Sequence, residues 1–135
     1  MIVIDASALL DLVLRTPCAP ELEDRVFETG EELHAPHLLD VECAQVIRKW
    51  NRSGHIPDAR AVEAFEDLAD MSIIRHPHGP LLERAWHLRR SITAYDAMYI
   101  ALAEGLDATL LTTDARLARS HGHTARIALV PRHQN

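Results

Sequence analysis

The chain has 135 residues, 47% of them hydrophobic types, with 20 acidic against 14 basic side chains and a formal net charge of −6 at pH 7. That length suits one domain, residues 1–135, able to bury roughly two thirds of the surface its unfolded chain exposes. No apolar run reaches the roughly 20 residues of a membrane span, and the chain opens on Met-Ile-Val-Ile with no basic segment and apolar signal, so a soluble cytoplasmic protein without a membrane partner is expected.

In chain order, the opening Met-Ile-Val-Ile reads as a strand buried on both faces of a parallel sheet. Asp5 ends it, and Ser7 is the expected N-cap of a short apolar helix from Ala8 to Leu14. An acidic helix follows Pro20 and stops at Gly30, and Leu33-His34-Ala35-Pro36 reads as a second strand. A long amphipathic helix runs from about His37 to Asn51, and another starts at Pro57 with Ala61, Val62, Phe65, Leu68 and Ala69 at helical spacing. Met71 to Arg75 is a further strand, Gly79-Pro80 introduces a helix through Leu81, Leu82, Ala85, Trp86 and Leu88, and Thr93 caps a helix to about Leu106. Thr109 to Thr113 is a buried strand ending at Asp114, Ala115 to Ser120 a short helix, and Ile127 to Val130 a last strand. The alternation predicts an α/β sandwich with a mostly parallel central sheet flanked by helices. Cys18 and Cys43 lack C-x-x-C spacing and fall in or beside apolar helical stretches, so buried reduced thiols are expected.

Asp5 and Asp114 occupy equivalent places, each directly after an apolar strand. The C-terminal ends of parallel strands share one edge, where ligands bind. Capping the next helix is the competing role for either aspartate. Glu42 lies on the apolar stripe of Leu39, Cys43, Val46, Ile47 and Trp50, a position that calls for a compensating cation or basic partner. Asp40 points to the flank and reads as solvated charge. Asp96 follows the cap residue Thr93 by three, where the helix dipole suits an acid, and the small residues Ala94, Ala97 and Ala101 let that helix lie close to the sheet. Four carboxylates brought together repel, and a bound cation keeps them ionised. Oxygen-only ligation points to Mg²⁺, with Mn²⁺ able to replace it, and phosphodiester hydrolysis is the natural chemistry of such a site. Ser7 and Thr112 are suited to support the carboxylates by hydrogen bonding.

These stretches together, Met-Ile-Val-Ile-Asp-Ala-Ser, the helix from Leu38 to Lys49, Thr93 to Glu104 and the strand end Leu110 to Asp114, resemble the PIN-domain ribonucleases of the VapC toxin group. The resemblance covers nearly the whole chain. It implies a PIN-like α/β/α sandwich and a catalytic, metal-binding quartet of Asp5, Glu42, Asp96 and Asp114, with Ser7 and Thr112 at supporting positions. It further implies Mg²⁺- or Mn²⁺-dependent cleavage of RNA, a homodimer, and inhibition by a small cognate antitoxin of the VapB kind. Several members of the group carry another acid shortly after the position of Asp114, where this chain continues Ala115-Arg116-Leu117-Ala118, so a second metal would rest on Asp114 alone.

Other readings compete. A haloacid-dehalogenase-like enzyme wants a second acid where Ser7 stands, and a receiver domain wants a late lysine, whereas Lys49 is the only lysine. A PIN-like scaffold that binds RNA or protein without cutting is the non-enzymatic alternative. The pairs His76/His78 and His121/His123 lack zinc-site spacing and read as solvated loop residues. Residues 1–72 hold 6 basic and 15 acidic groups and residues 73–135 hold 8 and 5, so the second half is mildly basic. Arg48, Lys49, Arg52, Arg116 and Arg119 are the residues placed to flank an RNA path, although basic groups also suit helix C-termini. The acidic stretch from Glu21 to Glu32 is expected to face away from RNA and toward a basic antitoxin segment.

Overall fold

A computed structural model describes residues 1–132. Five strands, β1 (Ile2–Ile4), β2 (Leu33–Pro36), β3 (Ile73–His76), β4 (Thr109–Thr112) and β5 (Arg126–Leu129), form one sheet in the order β3-β2-β1-β4-β5. Every neighbouring pair is parallel. The helices are α1 (Ala6–Val13), α2 (Ala19–Glu23), α3 (Leu38–Arg52), α4 (Asp58–Asp70), α5 (Leu82–His87), α6 (Ala94–Leu106) and α7 (Ala115–Ala118).

The order of strands fixes where a site can form. From β1 the chain steps outward to β2 and β3, then crosses back to β4 on the other side of β1 and continues to β5. Neighbouring strands β1 and β4 are therefore left by connections running in opposite directions, and a crevice opens beyond their C-terminal ends. Val3, Ile4, Leu110 and Leu111 are buried in these two strands, as expected of β-branched and apolar runs covered on both faces. Helix α6 packs across β1, β2 and β4, while α1, α2, α3 and α4 pack on one another with α1 against β4 and α3 against β2. Seven of the thirteen residues of α6, from Ala97 to Ala103, are buried, and its alanines allow the close approach to the sheet.

Several local expectations shift. Helix α1 starts at Ala6, and its N-cap is Asp5, whose carboxylate accepts from the Ala8 N–H. Ser7 was the expected cap, but its hydroxyl serves the strand end instead. The acidic helix after Pro20 is two pieces, α2 followed by a π-helical turn from Asp24 to Glu28. The third strand begins at Ile73, two residues later than the pattern suggested, and the last at Arg126. Both cysteines are free and buried. His76 and His78 are not solvated loop residues: His76 Nε2 lies 2.8 Å from His34 Nδ1 across the β2–β3 pair, and His78 Nε2 accepts from the Leu38 N–H at the start of α3. His123 is similarly tied, to Ser120 and to the Ala125 N–H. No helix among the described residues is long and apolar enough to cross a membrane.

Candidate active site

Asp5 sits where β1 ends and α1 begins, and is only 5% exposed. Its Oδ1 accepts from the Ser7 hydroxyl at 2.7 Å and the Ala8 N–H at 2.9 Å, and its Oδ2 from the Thr112 hydroxyl at 2.5 Å. Burial nevertheless dominates those three donors, and the Asp114 charge adds to it, so the carboxyl is pushed up to about 6. The Ser7 and Thr112 hydroxyl oxygens lie 3.1 Å apart, and each accepts a backbone N–H from the turn after β4, Ser7 from Thr113 and Thr112 from Asp114. Two hydroxyls thus knit the ends of β1 and β4 together around one carboxylate.

Asp114 both caps α7 and faces the site. Its Oδ1 accepts from the N–H groups of Arg116 and Leu117, leaving Oδ2 turned toward Asp96. Asp96 stands in the first turn of α6, where Thr93 Oγ1 accepts its N–H at 3.2 Å. Asp114 does cap α7 and Asp96 does lie in the first turn of α6, and both roles are compatible with a shared site. The Arg116 guanidinium spans the two acids, 2.9 Å from Asp96 Oδ2 and 3.3 Å from Asp114 Oδ2.

Glu42 is half-buried on α3 and accepts from the Tyr99 hydroxyl of α6 at 2.5 Å. Its carboxyl is raised above the ordinary range, chiefly by burial, with the charges of Asp96 and Asp5 adding to the effect. The Tyr99 phenol is raised as well, by burial and then by the Glu42 charge beside it. The mutual repulsion places Asp5, Glu42, Asp96 and Asp114 within one electrostatic neighbourhood. Even so, among the described residues no group of three or more acids, histidines or cysteines is drawn close enough together to hold a metal ion as it stands. The donor set is nevertheless that of a hard divalent cation, and Mg²⁺ characteristically takes one or two carboxylates and keeps several waters. An open, oxygen-only cluster with a guanidinium already neutralising two of its members fits such an ion.

An open groove of about 460 Å³ runs beside Glu42, lined by Ser7, Leu10, Leu38, Val41 and Tyr95 among others. Of the basic residues expected along an RNA path, Arg116 is drawn onto the carboxylates and Arg119 is exposed just beyond. Arg48, Lys49 and Arg52 are exposed on the last turns of α3, about 9–15 Å of helix rise from Glu42, and the structure does not bring them to the site. Asp40 is not simply solvated, because Arg75 donates to both its oxygens at 2.7 and 2.8 Å.

The sequence reading missed a buried fifth acid. Asp11 of α1 is 4% exposed, and its Oδ2 accepts from the Thr113 hydroxyl at 2.6 Å and from Arg132 Nε at 2.9 Å. The signal was present: Asp11 is the lone charge between Leu9, Leu10, Leu12 and Val13, where an acid needs a partner. Tyr99, one turn beyond Asp96 and the only polar side chain in the buried run Ala97–Ala103, was the other legible clue.

The family model for the PIN domain matches residues 2–121. Ribonuclease VapC12 of Mycobacterium tuberculosis is 42% identical over 130 residues, covering 96% of this chain and 99% of that protein. Among solved structures, PAE2754 from Pyrobaculum aerophilum superposes with a TM-score of 0.66 at 28% identity, covering 93% of this chain and 81% of the other. A toxin–antitoxin complex from Klebsiella pneumoniae superposes at 0.61 with 17% identity, covering 85% and 88%, a likeness of fold. With a PIN match over most of its length and a full-length VapC relative, the chain belongs to the PIN-domain family and, within it, to the VapC ribonucleases.

Proposed function

We propose that this chain is a metal-dependent endoribonuclease that hydrolyses RNA phosphodiester bonds as the toxin of a type II toxin–antitoxin pair. The observation that carries the reading is Asp5, a buried carboxylate fixed by three donors at the β1–β4 switch point, with the Asp114 charge near enough to raise its proton affinity and the Asp96 and Asp5 charges near enough to raise that of Glu42. Asp5, Glu42, Asp96 and Asp114 would hold a Mg²⁺ or Mn²⁺ ion. Such an ion supplies a water of lowered pKa and neutralises charge developing on the phosphate.

The chain's own residues then have separable tasks. Ser7 and Thr112 fix the direction in which Asp5 presents its free lone pairs, and Tyr99 does the same for Glu42. Thr93 holds the first turn of α6 so that Asp96 faces the strand ends. The groove beside Glu42, with the exposed Tyr95 ring at its rim, offers a stacking surface for an unpaired base. Exposed apolar groups elsewhere, such as Val62 and Phe65 on α4 and Trp86 on α5, offer area for a homodimer or a bound antitoxin. The VapC kinship and the toxin–antitoxin neighbour support an antitoxin partner of the VapB kind, and the exposed acids of residues 21–32 suit a basic segment of it.

The test is cleavage of a fluorescent structured RNA by purified protein in Mg²⁺, Mn²⁺ or EDTA. Cutting in either metal and none in EDTA is expected, with Asp96→Ala inactive in both metals. A folded wild-type protein that cuts nothing in a broad RNA panel would replace the enzyme with a binding scaffold.

A further inference from the structure

Asp96 and Asp114 already hold a cation, and it belongs to the chain. The Arg116 guanidinium donates to Asp96 Oδ2 at 2.9 Å and reaches Asp114 Oδ2 at 3.3 Å. Asp114 Oδ1 is committed to the N–H groups that start α7, so Oδ2 is the oxygen it has left for anything in the site, and Arg116 takes that oxygen. The arginine approaches from outside, its side chain 62% exposed against 17% for Asp96 and 32% for Asp114. It is carried on a four-residue helix and its arm has no other partner among the described residues, so it can leave without disturbing the core.

From this geometry we infer that Arg116 is a tethered competitor for the metal, a positioning residue that neutralises Asp96 and Asp114 in the metal-free protein and yields both oxygens when a divalent cation enters. The inference rests on the metal-site reading above. It means that metal affinity is held below what the carboxylates alone would give, and that loading frees a guanidinium at the mouth of the site, within reach of an incoming phosphate.

Mn²⁺ binding without RNA, followed by titration calorimetry on wild type, Arg116→Gln, Arg119→Gln and Asp96→Asn, tests the exchange without reading activity. Arg116→Gln is expected to bind Mn²⁺ about tenfold more tightly than wild type, the size of a typical coupling between two ligands competing for one site. Arg119→Gln removes the same charge nearby but touches neither carboxylate, and is expected to change affinity less than twofold. Equal affinity of wild type and Arg116→Gln, with binding still lost in Asp96→Asn, overturns the competitor role and leaves the metal site intact. An equal gain in both arginine variants also overturns it, reducing the effect to net charge. Absence of saturable binding in wild type and Arg116→Gln alike removes the metal site and the competitor together.

Discussion

Replacing Asp5 with asparagine is expected to lower RNA cleavage by about a thousandfold or more while leaving the metal-free protein at least as stable as wild type. The hydrogen bonds survive the change. An asparagine oxygen accepts from the Ser7 hydroxyl and the Ala8 N–H as Asp5 Oδ1 does, and its amide donates to the second lone pair of the Thr112 hydroxyl, whose first is taken by the Asp114 N–H. What disappears is a buried negative charge. In the folded metal-free chain this carboxyl holds its proton up to about pH 6, against an ordinary 3.8, because burial outweighs its donors. As pH rises from about 3.8 to 6 the unfolded chain ionises first and stability falls. Above that window the ionised wild type is weaker by up to about 3 kcal/mol, and the asparagine variant escapes the loss. Thermal melts in EDTA at pH 7, paired with cleavage rates in Mg²⁺, separate the two effects. Loss of activity accompanied by several kcal/mol of destabilisation would make Asp5 a structural residue first.

Asp11 predicts the opposite pairing. Asp11→Ala is expected to cost about 2–4 kcal/mol and to lower the melting temperature by roughly 10 °C. The carboxylate is buried in α1 and gathers Thr113 from the turn after β4 and Arg132 from the segment after β5. Removing it leaves the buried Thr113 hydroxyl without an acceptor and the Arg132 guanidinium without its anion. Thr113 precedes Asp114, so the same variant is expected to blur the site and reduce cleavage even at temperatures where it stays folded. Asp11→Asn, which keeps the volume and an acceptor, should lose about half as much. Melting curves unchanged in Asp11→Ala would show that the three-way link contributes little.

The two central strands were legible because β1 and the middle of β4 are short apolar runs, and Asp5 and Asp114 stand just past their ends. Equivalence of position in sequence then meant nearness at a shared edge, since the strands are all parallel. Glu42 announced itself as a charge on an apolar stripe. The side-chain partnerships were not legible, because they join residues with no periodic relation: Glu42 to Tyr99, Asp11 to Arg132, Asp40 to Arg75. Ser7 was misassigned as a cap for a related reason. A hydroxyl two residues after Asp5 looks the same in sequence whether it bonds α1 or the turn after β4. The arginines were harder still, because proximity in sequence to an acid marked Arg48, Lys49 and Arg52 as readily as Arg116, and helix rise carries the first three away.

Anomalous diffraction at the manganese edge, from crystals grown or soaked with Mn²⁺, reads the carboxylate metal site directly. A peak is expected at the crevice beyond β1 and β4, about 2–2.5 Å from carboxylate oxygens of Asp5 and of Asp96 or Asp114, with water completing the sphere and Arg116 turned outward. Ordered Asp5, Asp96 and Asp114 with no peak among them, in crystals of protein that cuts RNA in Mn²⁺, would contradict that site.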